Sequence, residues 1–397
     1  MRALLFAICL TAAAAFGQQG GRIAAVEEAL KQRPNDAALY FYLARFQAEA
    51  GNARASVAAL EKVSELGSGY LPARELGFEK VWDDLAFQAI VKRLADSLPR
   101  LDYAPIAIEL EDAELIPEGI AYDAHSQSFF IGSIAKKKIV RIEWGNAVSD
   151  FTRADASLDS VLGLAVDSPR RLLYAVSTSA VTDEGRKQPR NAVVAFDVDS
   201  GQLKRRVDVP EALQLNDVAV ARGGRVFATD SASGAIFEIP VLGPARVVVP
   251  AGQIRGSNGL AASPDATRLY VAHSTGLAVV EIASGRWQRV TNATRESIAA
   301  IDGLYEWQGQ LIGVQNTTTP GRVILMTLSS DGATVTQVKT LLSHHHNGLD
   351  EPTTGAVTDR GFFLLAATGV GHYNDKGVIE RPQTLPKPTV VRILLPR

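Results

Sequence analysis

From about residue 103 to the C-terminus the chain repeats itself, and this constrains the fold more than anything else in it. Six times a small turn leads into a short apolar strand: Glu118-Gly119-Ile120-Ala121, Leu162-Gly163-Leu164-Ala165, Asn216-Asp217-Val218-Ala219, Asn258-Gly259-Leu260-Ala261, Asp302-Gly303-Leu304-Tyr305 and Thr354-Gly355-Ala356-Val357. The second residues of these phrases are 44, 54, 42, 44 and 52 positions apart. Each interval holds four short strands, the period of propeller blades. Second strands are expected at Phe129–Ile134, Leu172–Ser177, Arg225–Asp230, Arg268–His273, Gln310–Gln315 and Gly361–Ala366. Third strands follow at Lys138–Trp144, Ala192–Val198, Ala235–Pro240, Leu277–Ile282, Arg322–Leu328 and Thr389–Leu395. The sixth unit runs out of chain after its third strand. Ile106–Leu110, just before the first unit, is expected to supply the missing strand and close the ring, leaving few open edges.

The fold class is therefore mainly β, a six-bladed propeller. In such a ring the first strand of each blade lines the central channel, and equivalent residues sit at one height. The residues opening the six strands are Glu118, Leu162, Asn216, Asn258, Asp302 and Thr354. Four carry carboxylate or amide oxygens. Two anionic and two neutral oxygen ligands suit a hard dication, Ca²⁺ or another divalent cation. Asn-Gly and Asp-Gly are also ordinary turn signals when taken one at a time.

The region before residue 103 follows other rules. Arg2 and the apolar run Ala3–Phe16 read as an export signal over residues 1–17, with cleavage before Gln18, so the protein is expected to be periplasmic or secreted. The only cysteine, Cys9, lies in that run, so the rest of the chain can form no disulfide and no thiolate metal site. Residues 22–98 show apolar residues at helical spacing, as in Leu39, Tyr42, Leu43 and Phe46. Within them Pro34–Gly67 resembles one tetratricopeptide repeat. Such repeats bury a core only by stacking, so this helical segment is expected to pack on the propeller as a cap or to meet a protein partner. A net charge of −2 without a basic block argues against nucleic acid, and no segment beyond the export signal is apolar enough to span a membrane.

Taken together, Glu118 in Pro-Glu-Gly, Asn216 in Leu-Asn-Asp, Asn258 in Ser-Asn-Gly-Leu and Asp302 in Ile-Asp-Gly resemble, in order, the metal ligands of the SMP-30/gluconolactonase/LRE-like family. The resemblance extends over about residues 103–397. It implies a Ca²⁺-dependent hydrolase of a sugar-type lactone or related ester, with Asp302 as general base or nucleophile beside the metal. The other reading is a non-catalytic Ca²⁺-containing propeller that binds a small ligand or a protein. Strand polarity puts His273 and the run His344, His345 and His346 on the metal face, as residues that could line the substrate pocket. Asp230 is expected to cap a turn, and Trp144, Trp287 and Trp307 to pack between blades.

Overall fold

A computed structural model of the chain describes residues 19–396, apart from 68, 144, 154–155, 180–188, 317–320, 344–345, 375 and 381–384. The expected export signal, Trp144, His344 and His345 lie outside the described residues. The remainder is a six-bladed β-propeller preceded by helices.

Blade 1 is the antiparallel sheet Pro117–Asp123, Ser128–Ser133, Ile139–Ile142 and Val148–Asp150. The first strands of blades 2 to 5 are Ser160–Asp167, Leu215–Val220, Leu260–Ala262 and Ile301–Trp307. Blade 5 adds Thr291–Asn292 as a short parallel fifth strand at its outer edge. Blade 6 joins Gly355–Thr358, Gly361–Ala367 and Thr389–Ile393 to Ile106–Glu109, which pairs antiparallel with Thr389–Ile393. The two ends of the propeller thus share one sheet, and Ile106–Glu109 covers the edge that Thr389–Ile393 would otherwise leave open.

The blades hold together because alternate residues on both faces of each sheet are apolar. Phe130, Phe196, Phe227, Phe237 and Phe362 are completely buried between blades. Burial of one such ring is worth roughly 2–3 kcal/mol.

Four α-helices occur among the described residues: α1 Gln19–Gln32, α2 Ala37–Glu49, α3 Ala53–Leu66 and α4 Leu85–Ser97. Asp36 caps α2 by accepting from the Leu39 amide at 3.2 Å, and Asp84 caps α4 through the Ala86 and Phe87 amides at 2.9 Å. Gly67 ends α3 in the left-handed conformation, φ 61°, which glycine adopts without strain. The helices pack around Phe41, Leu60, Val63, Phe78 and Phe87, and Tyr70 stacks on Phe41 with ring centres 4.7 Å apart.

This helical core continues onto the propeller through Ala299. Tyr42 donates its hydroxyl to the Ser274 carbonyl at 3.3 Å, and Ser297 donates to the Tyr70 hydroxyl at 2.6 Å. Ser274 follows the second strand of blade 4, and Ser297 and Ala299 precede the first strand of blade 5. The helices therefore cover blades 4 and 5 on the end where the first strands begin.

Candidate functional site

The first strands begin irregularly. The pairing register shifts between Pro117 and Gly119, Val161 and Leu164, Leu215 and Val218, and Ile301 and Leu304. These bulges fall on Glu118, on Leu162 and Gly163, on Asn216 and Asp217, and on Asp302 and Gly303. A bulge frees a residue from the ladder and turns its side chain, so blades 1, 2, 3 and 5 re-aim their axial residues, whereas the first strands of blades 4 and 6 pair in unbroken register.

The glycines beside them answer a crowding requirement. A Cβ on Gly119 would lie 2.1 Å from the Leu162 carbonyl oxygen, and one on Gly259 would lie 2.3 Å from that of Asp302. Neither glycine has a positive φ. Asn258-Gly259 and Asp302-Gly303 are thus sites of close approach between adjacent first strands, not turns.

Hydrogen bonds between blades lock this level. The Thr353 and Thr354 hydroxyls donate to the Glu118 carbonyl at 2.8 and 2.6 Å. The Gly259 amide donates to the Asp302 carbonyl at 2.8 Å, and the Thr229 hydroxyl donates to the Asn258 carbonyl, also at 2.8 Å.

Glu118 and Asp302 are 3% and 2% exposed, and each has one carboxylate oxygen (Oε2 and Oδ1) that is buried with no hydrogen-bond partner. Burial raises the Glu118 pKa, and the negative charges of Asp302 and Asp217 raise it further. Burial likewise raises that of Asp302, partly offset by side-chain hydrogen bonds from Asn258 and Asn316, the latter at 2.5 Å to Oδ2. The groups that act on Glu118 are all anions. Two buried carboxylates with orphaned oxygens and no counter-charge form an expensive arrangement unless something cationic joins them.

The two asparagines complete the set. Asn216 donates its amide to the Ser231 hydroxyl at 2.8 Å, leaving the side-chain oxygen as its free donor atom. Ser231 in turn donates to the Ser257 carbonyl at 2.6 Å, which fixes that orientation. Asn258 is half-buried beside Asp302. The donor set therefore fits a hard, oxygen-loving dication. Among the described residues no three His, Cys, Asp or Glu side chains form a metal-ligating group, so a cation here would depend on the amide oxygens as well.

Two further residues belong to this level and were not singled out from the sequence. Asp217 is buried with its pKa pushed up to about 7, chiefly by burial. It accepts from the Val218 and Leu260 amides at 2.8 and 3.4 Å, so it links blade 3 to blade 4. Asn316 directly follows the second strand of blade 5, a position the strand pattern places on this face. Beyond the ring, a cavity of about 550 Å³ runs along the axis between the first strands, with Asp217 and Tyr305 among its lining.

The other expectations divide. His273 is 6% exposed at the end of its strand, with Nε2 unpartnered. Burial and the charge of Arg289, followed by that of Arg33, push its pKa down to about 3, so the ring is neutral. Its charged neighbours are thus those arginines. His346 is tied to the backbone at both nitrogens: Nε2 lies 2.6 Å from the Ala104 carbonyl, and Nδ1 accepts from the Gly348 amide at 3.0 Å. Asp230 caps its turn as expected, accepting from the Leu213, Gln214, Ala232 and Ser233 amides.

Residues 116–305 match the SMP-30/gluconolactonase/LRE-like region. The matched region runs from the first strand of blade 1 into that of blade 5 and contains all four axial oxygen residues. A gluconolactonase from Xanthomonas campestris is 16% identical, with 74% of this chain and 91% of that one covered and a TM-score of 0.49. A luciferin-regenerating enzyme is 13% identical over 73% of this chain and 95% of its own, with a TM-score of 0.50, a likeness of fold. No curated protein matches the chain.

Proposed function

We propose that the SMP-30/gluconolactonase/LRE-like propeller is a Ca²⁺-dependent hydrolase that opens a sugar-type lactone or related ester. Glu118, Asn216, Asn258 and Asp302 would hold the cation. The observation that carries this reading is the pair of buried axial carboxylates, each with an orphaned oxygen and neither with a cationic neighbour.

A bound Ca²⁺ would stabilise the negative charge that builds on the carbonyl oxygen during ring opening. The rest falls to the chain. Asn316 holds Asp302 through Oδ2 and fixes its orientation, and its carboxylate is the group that would take a proton from the attacking water. Its raised pKa brings it closer to the range in which a base works well at neutral pH. Asp217, one position beyond the ring in blade 3, keeps further negative potential at this level. The helices over blades 4 and 5 narrow the approach to the ring on the side of Asp302.

The test is a hydrolysis screen over lactones, aryl esters and phosphotriesters, with Ca²⁺ and with a strong chelator. Lactone turnover that disappears with the chelator and returns with Ca²⁺ is the expected result. Asp302→Asn should lose turnover while keeping much of the bound metal, because an amide oxygen coordinates but cannot take the proton. Ca²⁺ binding without turnover on any of the three substrate classes would favour the non-catalytic ligand-binding propeller instead.

A further inference from the structure

Between the helices and the propeller lies a second cavity, of about 770 Å³, which the hydrolase reading does not use. Its lining comes from the α1–α2 turn, the end of α3, the Thr275–Leu277 turn of blade 4 and residues 289–299. A volume of this size accommodates a small molecule.

The cavity's charges are unevenly matched. Three of the lining residues are arginines (Arg33, Arg289, Arg295) and three are carboxylates (Asp36, Glu65, Glu296). Each carboxylate already has a cation of its own: Asp36 pairs with Arg33 at 2.9 Å, Glu65 with Lys62 at 2.7 Å, and Glu296 with Arg322 at 2.9 Å. Lys62 and Arg322 are outside the lining. Among the described residues Arg289 and Arg295 have no carboxylate partner.

Two of these guanidiniums meet on one neutral oxygen. Arg289 donates through Nη1 to the Thr275 hydroxyl at 2.9 Å, and Arg33 donates through its own Nη1 to the same oxygen at 3.3 Å. Two cations brought this close repel, and a hydroxyl oxygen offsets little of that. Arg289 is exposed, and its pKa is lowered by partial desolvation and by the charge of Arg33, with only Asp36 acting the other way. An oxyanion would relieve this repulsion, because guanidinium groups bind carboxylate and phosphate oxygens with short, charge-assisted bonds.

We propose that this cavity is a binding site for a small oxyanion, a carboxylate or phosphate group, held between Arg33 of the helical segment and Arg289 and Thr275 of blade 4. Because the site spans the two parts of the chain, its occupancy ties the helices more firmly to the propeller.

The test uses the full chain, free of Ca²⁺, titrated calorimetrically with inorganic phosphate and, separately, with succinate. Saturable binding of either is expected, with a Kd that rises roughly ten- to a hundredfold in Arg289→Gln, the loss of one charge-assisted contact. Binding of phosphate alone identifies a phosphoryl ligand, and binding of succinate alone a carboxylate. Bound anion should also raise Tm in the wild type and not in Arg289→Gln. In the absence of anion Arg289→Gln should melt no lower than the wild type, since it gives up the Thr275 contact together with the repulsion from Arg33. Glu118→Gln should bind the anion like the wild type, which separates this site from the axial one and from the hydrolase reading. Absence of binding to either anion up to about 10 mM, or equal affinity in Arg289→Gln, overturns the proposal.

Discussion

Glu118 and Asp123 lie on the same strand, Pro117–Asp123, and both are buried carboxylates, yet their surroundings differ in every other respect. Glu118, at the axial end, has an oxygen with no partner and only anions acting on it, so its pKa is raised. Burial would raise Asp123 as well, but hydrogen bonds from Arg171, Ser168 and Ser126 hold its carboxyl well below the usual carboxylate range. Arg171 donates to both Asp123 oxygens at 2.7 Å, and Ser168 to one of them. Arg171 and Ser168 belong to blade 2, so Asp123 fastens two blades together. Burial is common to both residues and does not tell them apart. Counter-charge does: one carboxylate completes an ion pair, and the other keeps an oxygen without a partner among anions.

Activity should break this symmetry most visibly. Asp302→Ala removes the partner of Glu118 and the proposed base, and lactone turnover at saturating Ca²⁺ should fall by about 10³ or more. Initial rates check this, and rates within a few-fold of the wild type would remove the functional half of the contrast. Asp123→Ala should leave activity per folded molecule unchanged but cost about 3 kcal/mol of stability in denaturant unfolding. That is the low end for breaking a buried pair, because Arg171 keeps Asp199 at 2.6 Å.

Glu118→Gln sharpens the comparison through its sign. In cation-free protein it removes a repelled charge and should raise the denaturation midpoint, whereas Asp123→Asn lowers it. In Ca²⁺ the Glu118→Gln protein should lose the stabilisation that the cation gives the wild type, measured as a smaller Ca²⁺-induced rise in Tm.

The smallest expected effect is in the pH profile. Asp123 has a depressed folded pKa, so its contribution is present above the unfolded carboxylate pKa of about 3.9 and is lost as pH falls through the folded value. Glu118 has a raised folded pKa, so in cation-free protein its contribution is full below about pH 4.3 and is lost as pH rises through the folded value. Unfolding measured from pH 3 upward should show Asp123→Asn flattening the acid limb and Glu118→Gln flattening the loss on the other side.

Much of this was legible in advance because period-2 strands and fixed spacing are local signals. The six strand starts, the closing strand before blade 1 and the turn-capping role of Asp230 all follow from short stretches of chain. Glu118, Asn216, Asn258 and Asp302 were singled out through symmetry, since they occupy equivalent positions in equivalent blades. Asp217 was passed over because it neighbours Asn216 on an extended strand, where adjacent side chains normally point to opposite faces. The bulge between Leu215 and Val218 breaks that alternation, and no residue type in Leu-Asn-Asp-Val announces a bulge. Asn316 was missed because its role comes from contact with Asp302, fourteen residues away across a turn.

Repeats and local patterns along the chain were enough for the number of blades, the way the ring closes and the helical character of residues 22–98. These depend on patterns that repeat along the chain or on the propensity of a few neighbours. Only the tertiary structure decided which buried acids lack a counter-charge, where the helices sit, and that Arg33 and Arg289 would share one threonine hydroxyl. The reason is physical. The field at a buried group is a sum over whatever folding brings near it, and Glu118 and Asp302 act on each other from 184 positions apart in the chain.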